Sequence, residues 1–453
     1  MSSRRGFALA LAVISLGALV LRVVYVLVLR DQHTDFFGDA LFYSKAATAL
    51  ARGDAFSQPL TAFTDNPIPA AEHPPLYIVW LAIPAFLTGG HEFSQTAQML
   101  WSSVLGTGTI VLIGLAGRRI AGDWCGLLAA GLAAVYPNIW VHDGELLSET
   151  MAMFTVALVI LAAYRFVDRP NLARALGLGA VCGLSALARP ELLLSVGLVF
   201  VPVVVFARSV PWRERITALA GGGVVALLVI TPWVAFNLSR FEEPVYLSVN
   251  FGATLSAANC DDTYYGPNIG YKNYQCGYDV YEQVVEPGMD PSEGAQAIQD
   301  ETVTYIRAHR SRVPLVVAAR VGRILGVFRP STDLNFDEYV MKRNPIVARS
   351  TQVTWYLLAP LAVIGAVILR RRRVPLLPLV GFPAIVLVSV AVTFAQLRYR
   401  APAEPAVVLL AAVALEAGVR RLRARPGDGS ARRDGDDEVP TDPVAAGTPL
   451  AAP

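Results

Sequence analysis

Carboxylates gather in two stretches of the chain. The first, HTDFFGDALFYSKAATALARGDAF at residues 33 to 56, carries Asp35 and Asp39 directly behind a long apolar run. Asp54, Asp65, Glu72 and His73 follow, ahead of Pro74 and Pro75. The second, YPNIWVHDGELLSETM, holds His142, Asp143, Glu145 and Glu149. Such groups can take a proton from a hydroxyl, hold a divalent cation or orient a polar substrate. An ionisable side chain at membrane depth is costly, so one that is kept there marks a candidate site. Asp39 also suits the start of a helix reading DALFYSKAATALA, where aspartate is a favoured N-cap; capping and chemistry are compatible roles. Asp35 reads equally well as a solvated loop carboxylate.

What positions these groups is a membrane. Of 453 residues 54% are hydrophobic and 16% charged, and the mean hydropathy is +0.47, a combination that a water-soluble domain of this length would struggle to hide. The expected fold class is an all-α polytopic membrane protein. The net charge of +2 says little about partners, and nucleic acid is not expected among them. Residues 7 to 29 can cross a hydrocarbon core of about 30 Å at about 1.5 Å per residue. Leu29, Arg30 and Asp31 close that run without a small-residue cleavage site, so it reads as an uncleaved anchor. Arg22, inside it, is expected to snorkel or to pair within the bundle.

Arginine clusters orient the rest: Arg4 and Arg5; Arg118 and Arg119; Arg165, Arg169 and Arg174; Arg208, Arg213 and Arg215; Arg370 to Arg373; and the group from Arg420 to Arg425. With all of them cytoplasmic, ten spans alternate consistently, at roughly 7–29, 97–117, 124–138, 149–166, 175–190, 191–207, 216–236, 353–369, 374–394 and 403–419. Both termini then lie inside, and the loops 30–96 and 237–352 face the exterior. Two shorter apolar stretches, 74–90 and 313–328, are interrupted by Pro or Arg and would break the parity, so they are expected in the outer interface. Cys260 and Cys276, in the polar second loop on the oxidising side, predict a disulfide. Cys125 and Cys182 sit in apolar runs as packing residues. The expected organisation is a membrane domain over 1–420 and a disordered cytoplasmic tail over 421–453, rich in Pro, Gly and charge.

The order GDALFYSKAATALARGDAF, EHPPLY, RRIAGDWCG, YPNIWVHDGELLSETM and LARPELLL, followed by NFGATLSAANCDDTYYG and LRYRAPAEP, resembles the polytopic GT-C glycosyltransferases of the protein O-mannosyltransferase and lipid A aminoarabinose transferase type. The likeness covers about residues 1 to 420. It implies the GT-C fold, with about ten transmembrane helices and interfacial helices in two extracytoplasmic loops. It also implies inverting transfer of a sugar from a polyprenyl-phosphate-linked donor to a glycan, lipid or protein acceptor on the outer face of the cell membrane. The Gly-Asp position of the family motif falls on Asp39, which is expected to be the general base, since inversion needs a carboxylate opposite the leaving phosphate. Asp35 would assist a metal or orient the acceptor. Glu149 falls where relatives carry an acid in the second outer loop, and it also suits a span's start beside the helix dipole; Glu145 is a lesser candidate.

The leaving lipid phosphate calls for positive charge. Where some relatives have Glu-Lys-Pro, this chain has Glu72-His73-Pro74. The pair has three readings: ligands of a divalent metal ion, a contact of His73 with the donor phosphate, or a plain loop pair. Arg189, Arg398 and Arg400 fall at outer span ends, where arginine forks suit phosphate oxygens or simply anchor the interface. Lysine stands only at 45, 272 and 342, which fits a GC-rich genome and with it a decaprenyl carrier. The alternative function is a membrane transporter or lipid-handling protein without glycosyl transfer, although no internal repeat of the transporter kind is evident.

Overall fold

The computed structural model describes residues 4–30, 38–54, 56–59, 61, 62, 64–89 and 94–423. Asp35 and the tail from residue 424 fall outside these. Among the described residues every regular element is a helix, apart from an isolated bridge between Ser57 and Pro69. Met1–Glu416 forms one compact unit; of the second, Ala417–Pro453, the described residues are helical.

In chain order the helices are α1 (Arg4–Arg30), α2 (Asp39–Ala51), α3 (Leu76–Leu87), α4 (Gln95–Ala121), α5 (Asp123–Val135), α6 (Pro137–Glu145), α7 (Glu149–Asp168), α8 (Leu172–Ala186), α9 (Pro190–Val205) and α10 (Trp212–Leu238). The second large loop folds into α11 (Phe251–Ser256), α12 (Asp261–Tyr264), α13 (Tyr274–Val284), α14 (Pro291–Ala308), α15 (Val313–Ile324) and α16 (Pro330–Asn335). Three helices close the described chain: α17 (Pro345–Arg371), α18 (Leu377–Val392) and α19 (Leu397–Arg423).

All ten expected spans are helices, and the chain is a multi-pass membrane protein. By length and composition six of the described helices, α1, α4, α7, α10, α17 and α19, can cross a bilayer unaided, and α5 with α6 makes a seventh if the bent pair is one span. The remaining three, α8, α9 and α18, are shorter apolar helices. The last two of these carry prolines, whose ring nitrogen donates no hydrogen bond to the helix: Pro190 and Pro202 in α9, Pro378 and Pro383 in α18. The two stretches expected at the interface are twelve-residue helices, α3 and α15, too short to span.

Helices in lipid gain little from apolar burial against one another and rely on close approach. Gly179 of α8 lies against the Gly222 carbonyl of α10, and Gly365 of α17 against the Leu410 carbonyl of α19; a side chain at either glycine would collide with the opposing backbone. The largest core joins α4, α5, α7 and α19 through fully buried residues such as Ile113, Ala129, Ile160 and Leu409. Between α5 and α6 the chain bends by 75° ahead of Pro137, and Leu146, at φ 50°, ends α6 before α7 starts. That bend turns Asp143 into the bundle, where it meets Arg22. Arg22 Nε donates to Asp143 Oδ2 at 2.7 Å, Thr150 Oγ1 donates to Asp143 Oδ1 at 2.8 Å, and both charged side chains are fully buried. Gly106 of α4 leaves the space that the carboxylate fills. Cys260 and Cys276 are joined in a disulfide, while Cys125 and Cys182 are buried thiols.

Candidate active site

Asp39 is the first residue of α2. Gly38 precedes it with φ 56° and ψ −134°, a backbone state that side-chain-bearing residues rarely adopt. The capping role foreseen for Asp39 is corrected here: Gly38 occupies the cap position, and the helix start has no side-chain cap. The carboxylate is thereby released to face other elements. Arg398, near the start of α19, donates from Nη2 to Asp39 Oδ2 at 2.7 Å, and His73 Nε2 lies 3.7 Å from Asp39 Oδ1.

His73 is set by aromatic packing. Its ring stacks on Tyr43 of α2 at 4.7 Å and meets the edge of Phe42 at 5.3 Å. Just beyond Pro74 and Pro75, the Leu76 amide donates to the Leu187 carbonyl at 3.0 Å, which ties the start of α3 to the turn that carries Arg189.

That turn brings in the second carboxylate. Arg189 Nη1 lies 2.7 Å from Glu149 Oε1 at the head of α7, and Arg189 Nε donates to Glu191 at 2.5 Å. Arg398 Nε is 3.7 Å from the same Glu149 oxygen. Tyr399 lies beside both guanidiniums, 5.2 Å from each to the ring centroid. A continuous row results: His73, Asp39, Arg398, Glu149, Arg189, Glu191. Burial pushes the Asp39 carboxyl up, but the charge of Arg398 and the hydrogen bond and charge of His73 outweigh it and hold the group well below the usual carboxylate range. Asp39 keeps 35% side-chain exposure, whereas Arg398 and Glu149 keep 11% and 2%. The row therefore presents an ionised carboxylate at its accessible edge and two arginines behind it.

The other expected residues separate from this row. Arg400, two positions beyond Arg398, turns inward: Nε donates to Glu404 at 2.7 Å and its guanidinium lies over the Trp355 ring at 3.9 Å. Tyr136 and Asn138 also donate to Glu404, at 3.0 and 2.8 Å, so Arg400 belongs to a closed network inside the bundle. Glu145 takes a two-pronged contact from Arg343 at 2.9 Å on each oxygen. Glu72 has another partner than His73: Gln58 Nε2 donates to its Oε1, and burial raises its carboxyl above the ordinary value against the opposing charge of His73. Glu72 and His73 thus serve different partners, and among the described residues no three of His, Cys, Asp or Glu group to hold a metal. These residues alone do not fit a divalent ion.

Residues 72–236 match the family described as Dolichyl-phosphate-mannose-protein mannosyltransferase. No functionally curated protein matches the chain. The Archaeoglobus fulgidus oligosaccharyltransferase tethered with an acceptor peptide superposes with a TM-score of 0.56 at 13% identity, over 93% of this chain and 50% of its own. The chain has the GT-C fold. Other structures with this fold include the oligosaccharyltransferase AglB from A. fulgidus with an inhibitory peptide and a dolichol-phosphate, at TM-score 0.51, 14% identity, 92% of this chain and 51% of that one. ArnT from Cupriavidus metallidurans bound to undecaprenyl phosphate gives a TM-score of 0.44 at 14% identity, over 92% of this chain and 79% of that one. The chain spans about half the length of the archaeal enzymes.

On this GT-C fold, Asp39, His73, Arg189, Glu149 and Arg398 come together from five separate segments. Tyr43, one of the polar residues of the first loop, carries His73, and two further contributors were not singled out from sequence: Lys272, inside the disulfide loop, and Asp333, which accepts from the Leu397 amide at 3.1 Å. Lys272 alone had a visible signal, a lysine between the two bonded cysteines of a chain that otherwise uses arginine almost throughout.

Proposed function

We propose that the chain is an integral membrane glycosyltransferase that moves a sugar from a polyprenyl-phosphate-linked donor to an acceptor on the extracytoplasmic face, with inversion. The observation that carries this reading is the row in which Asp39 and Glu149 hold Arg398 and Arg189. It is an acid-base pair of motifs drawn from distant parts of the chain, at the end of the bundle opposite the Arg118–Asp123 and Arg119–Asp168 pairs. Positive-inside placement of those arginine-rich ends puts the row, and the disulfide loop with it, outside, and both termini inside. The archaeal relative's dolichol-phosphate complex supports a lipid-phosphate donor.

The donor phosphate competes with Asp39 and Glu149 for the two guanidiniums, whose paired donors suit its oxygens. As Arg398 turns to the phosphate, Asp39 loses its counter-charge and becomes a stronger base. The acceptor oxygen then bonds to the anomeric carbon while the bond from that carbon to the phosphate oxygen breaks. The acceptor proton passes to Asp39, and the electron pair leaves with the polyprenyl phosphate, whose charge Arg398 and Arg189 stabilise. His73, stacked on Tyr43, keeps Asp39 in place.

The transporter reading would favour charged pairs within the spans, and Arg22–Asp143 and Arg400–Glu404 are such pairs. Both are locked by further hydrogen bonds from Thr150, Tyr136 and Asn138, which suits a static role. The deciding experiment supplies purified protein with a radiolabelled polyprenyl-phosphate sugar, with and without cell-envelope acceptor. Acceptor-dependent loss of label from the lipid supports the proposal; label that stays on the lipid for every sugar and acceptor tried refutes it.

A further inference from the structure

Arg398 meets Asp39 from the tight first turns of α19. It hangs from a short extended link at Gln396, between α18 and α19, and two buried side chains from the outer loop grip that link. Lys272, 5% exposed, donates from Nζ to Gln396 Oε1 at 2.9 Å and to the Tyr274 hydroxyl at 2.7 Å. Its ammonium position is enclosed by the rings of Phe336, Tyr274 and Phe394, at 4.2, 4.5 and 5.4 Å. Asp333, 1% exposed, accepts the Leu397 amide hydrogen at 3.1 Å. The residues on either side of the Gln396–Leu397 peptide are therefore each held by a different part of the loop, and Arg398 is the next residue along.

We propose that Lys272 and Asp333 are positioning residues for Arg398, clamping Gln396 and Leu397 so that the guanidinium is presented to Asp39 and to the donor phosphate. The part concerning the donor rests on the glycosyltransferase reading above. The groups charged or titratable around the clamp suit this task. Burial lowers the Lys272 amine well below its ordinary value, and nearby Arg398 adds to that, while Asp39, Asp333 and Asp337 oppose it. Burial and the adjacent Asp337 push the Asp333 carboxyl up to about 7. In the clamp itself Lys272 serves the link as a hydrogen-bond donor and Asp333 as an acceptor. Leucine or methionine at either position would leave a buried amide or amide hydrogen without its partner.

The test uses the full chain in detergent and decaprenyl phosphate as the probe, with binding followed by tryptophan fluorescence. Arg398→Gln and Lys272→Met should each weaken binding by about tenfold to a hundredfold, the loss that goes with a hydrogen bond to a charged group. Because Lys272 acts through Arg398, the double variant should bind no more weakly than Arg398→Gln alone. Wild-type binding by Lys272→Met, or losses that multiply in the double variant, would overturn the proposal. Should Lys272→Met not fold, Asp333 decides: Asp333→Asn keeps an acceptor for the Leu397 amide and should bind normally, Asp333→Leu should not, and equal binding by the two would reject the clamp. A lipid-free arm separates this from the functional reading. The thermal-unfolding coupling between Asp39→Ala and Arg398→Gln should vanish in the Lys272→Met or Asp333→Leu background; if it persists, the clamp fails whether or not the wild type binds the lipid.

Discussion

Arg398 donates to Asp39 across 359 residues of sequence, at 2.7 Å, and so ties the start of the last helix to the first residue of α2. The pair has a consequence for pH. Asp39, held ionised by Arg398 and His73, contributes stability that is present above the ordinary aspartate value of about 3.9 and is lost as pH falls through its lower folded value. In Arg398→Gln the cation is gone and burial acts on the carboxyl with less opposition, so its titration moves upward. The acid limb of the transfer-rate profile, measured at saturating acceptor, should therefore shift to higher pH in Arg398→Gln. An unmoved acid limb would remove Asp39 from the titrating role.

Asp39→Asn is expected to cost on the order of 10²- to 10⁴-fold in single-turnover transfer, the usual effect of losing a general base. The helix should survive, because the cap is at Gly38. Asp35→Asn should be milder if that residue only orients the acceptor. Near-normal transfer by Asp39→Asn would pass the role of base to Glu149.

Orientation is open to direct labelling. Cysteines introduced between 57 and 66 or between 280 and 295 should react with an impermeant thiol reagent on intact cells, and cysteines beyond 426 should not. The reverse pattern would place the Asp39 row on the cytoplasmic side.

The disulfide encloses Lys272, so its loss should be felt at the site. Replacing Cys260 and Cys276 by serine removes a cross-link between residues 16 apart, which typically contributes about 2–4 kcal/mol. Chemical denaturation of the purified variant should show that drop, together with weaker lipid-phosphate binding. Unchanged stability and unchanged binding would show that the loop holds its shape without the bond.

Within the bundle, Arg22→Met leaves Asp143 buried with Thr150 as its remaining hydrogen-bond donor. Stranding one member of a buried pair costs about 3–5 kcal/mol, and the double variant Arg22→Met with Asp143→Leu should recover most of it. Unfolding midpoints of the three variants decide the matter; equal midpoints for wild type and Arg22→Met would mean that the pair contributes little.

The helices were legible because the constraint that makes them is local. A backbone in lipid has to satisfy its own hydrogen bonds, so each long apolar run declares itself as a helix, from Arg4–Arg30 to Pro345–Arg371, whatever its neighbours do. The shortness of α3 and α15 and the pairing of Cys260 with Cys276 followed in the same way, from run length, interrupting residues and the polarity of one loop. Asp39 could be singled out by its Gly-Asp motif. Its partners could not, because the strength of a charge contact depends on a separation in space of a few ångströms that nothing local encodes. Arg398 and Arg400 are two residues apart and alike in sequence, yet the tight first turns of α19 send one to Asp39 and the other to Glu404. Likewise Glu72 and His73 are adjacent, but the chain's entry into α3 turns them to different partners, Gln58 and Asp39. Run length and composition thus determined which segments are helices and that the protein lives in a membrane. Which arginine meets which carboxylate was decided only when helices distant in sequence packed side by side.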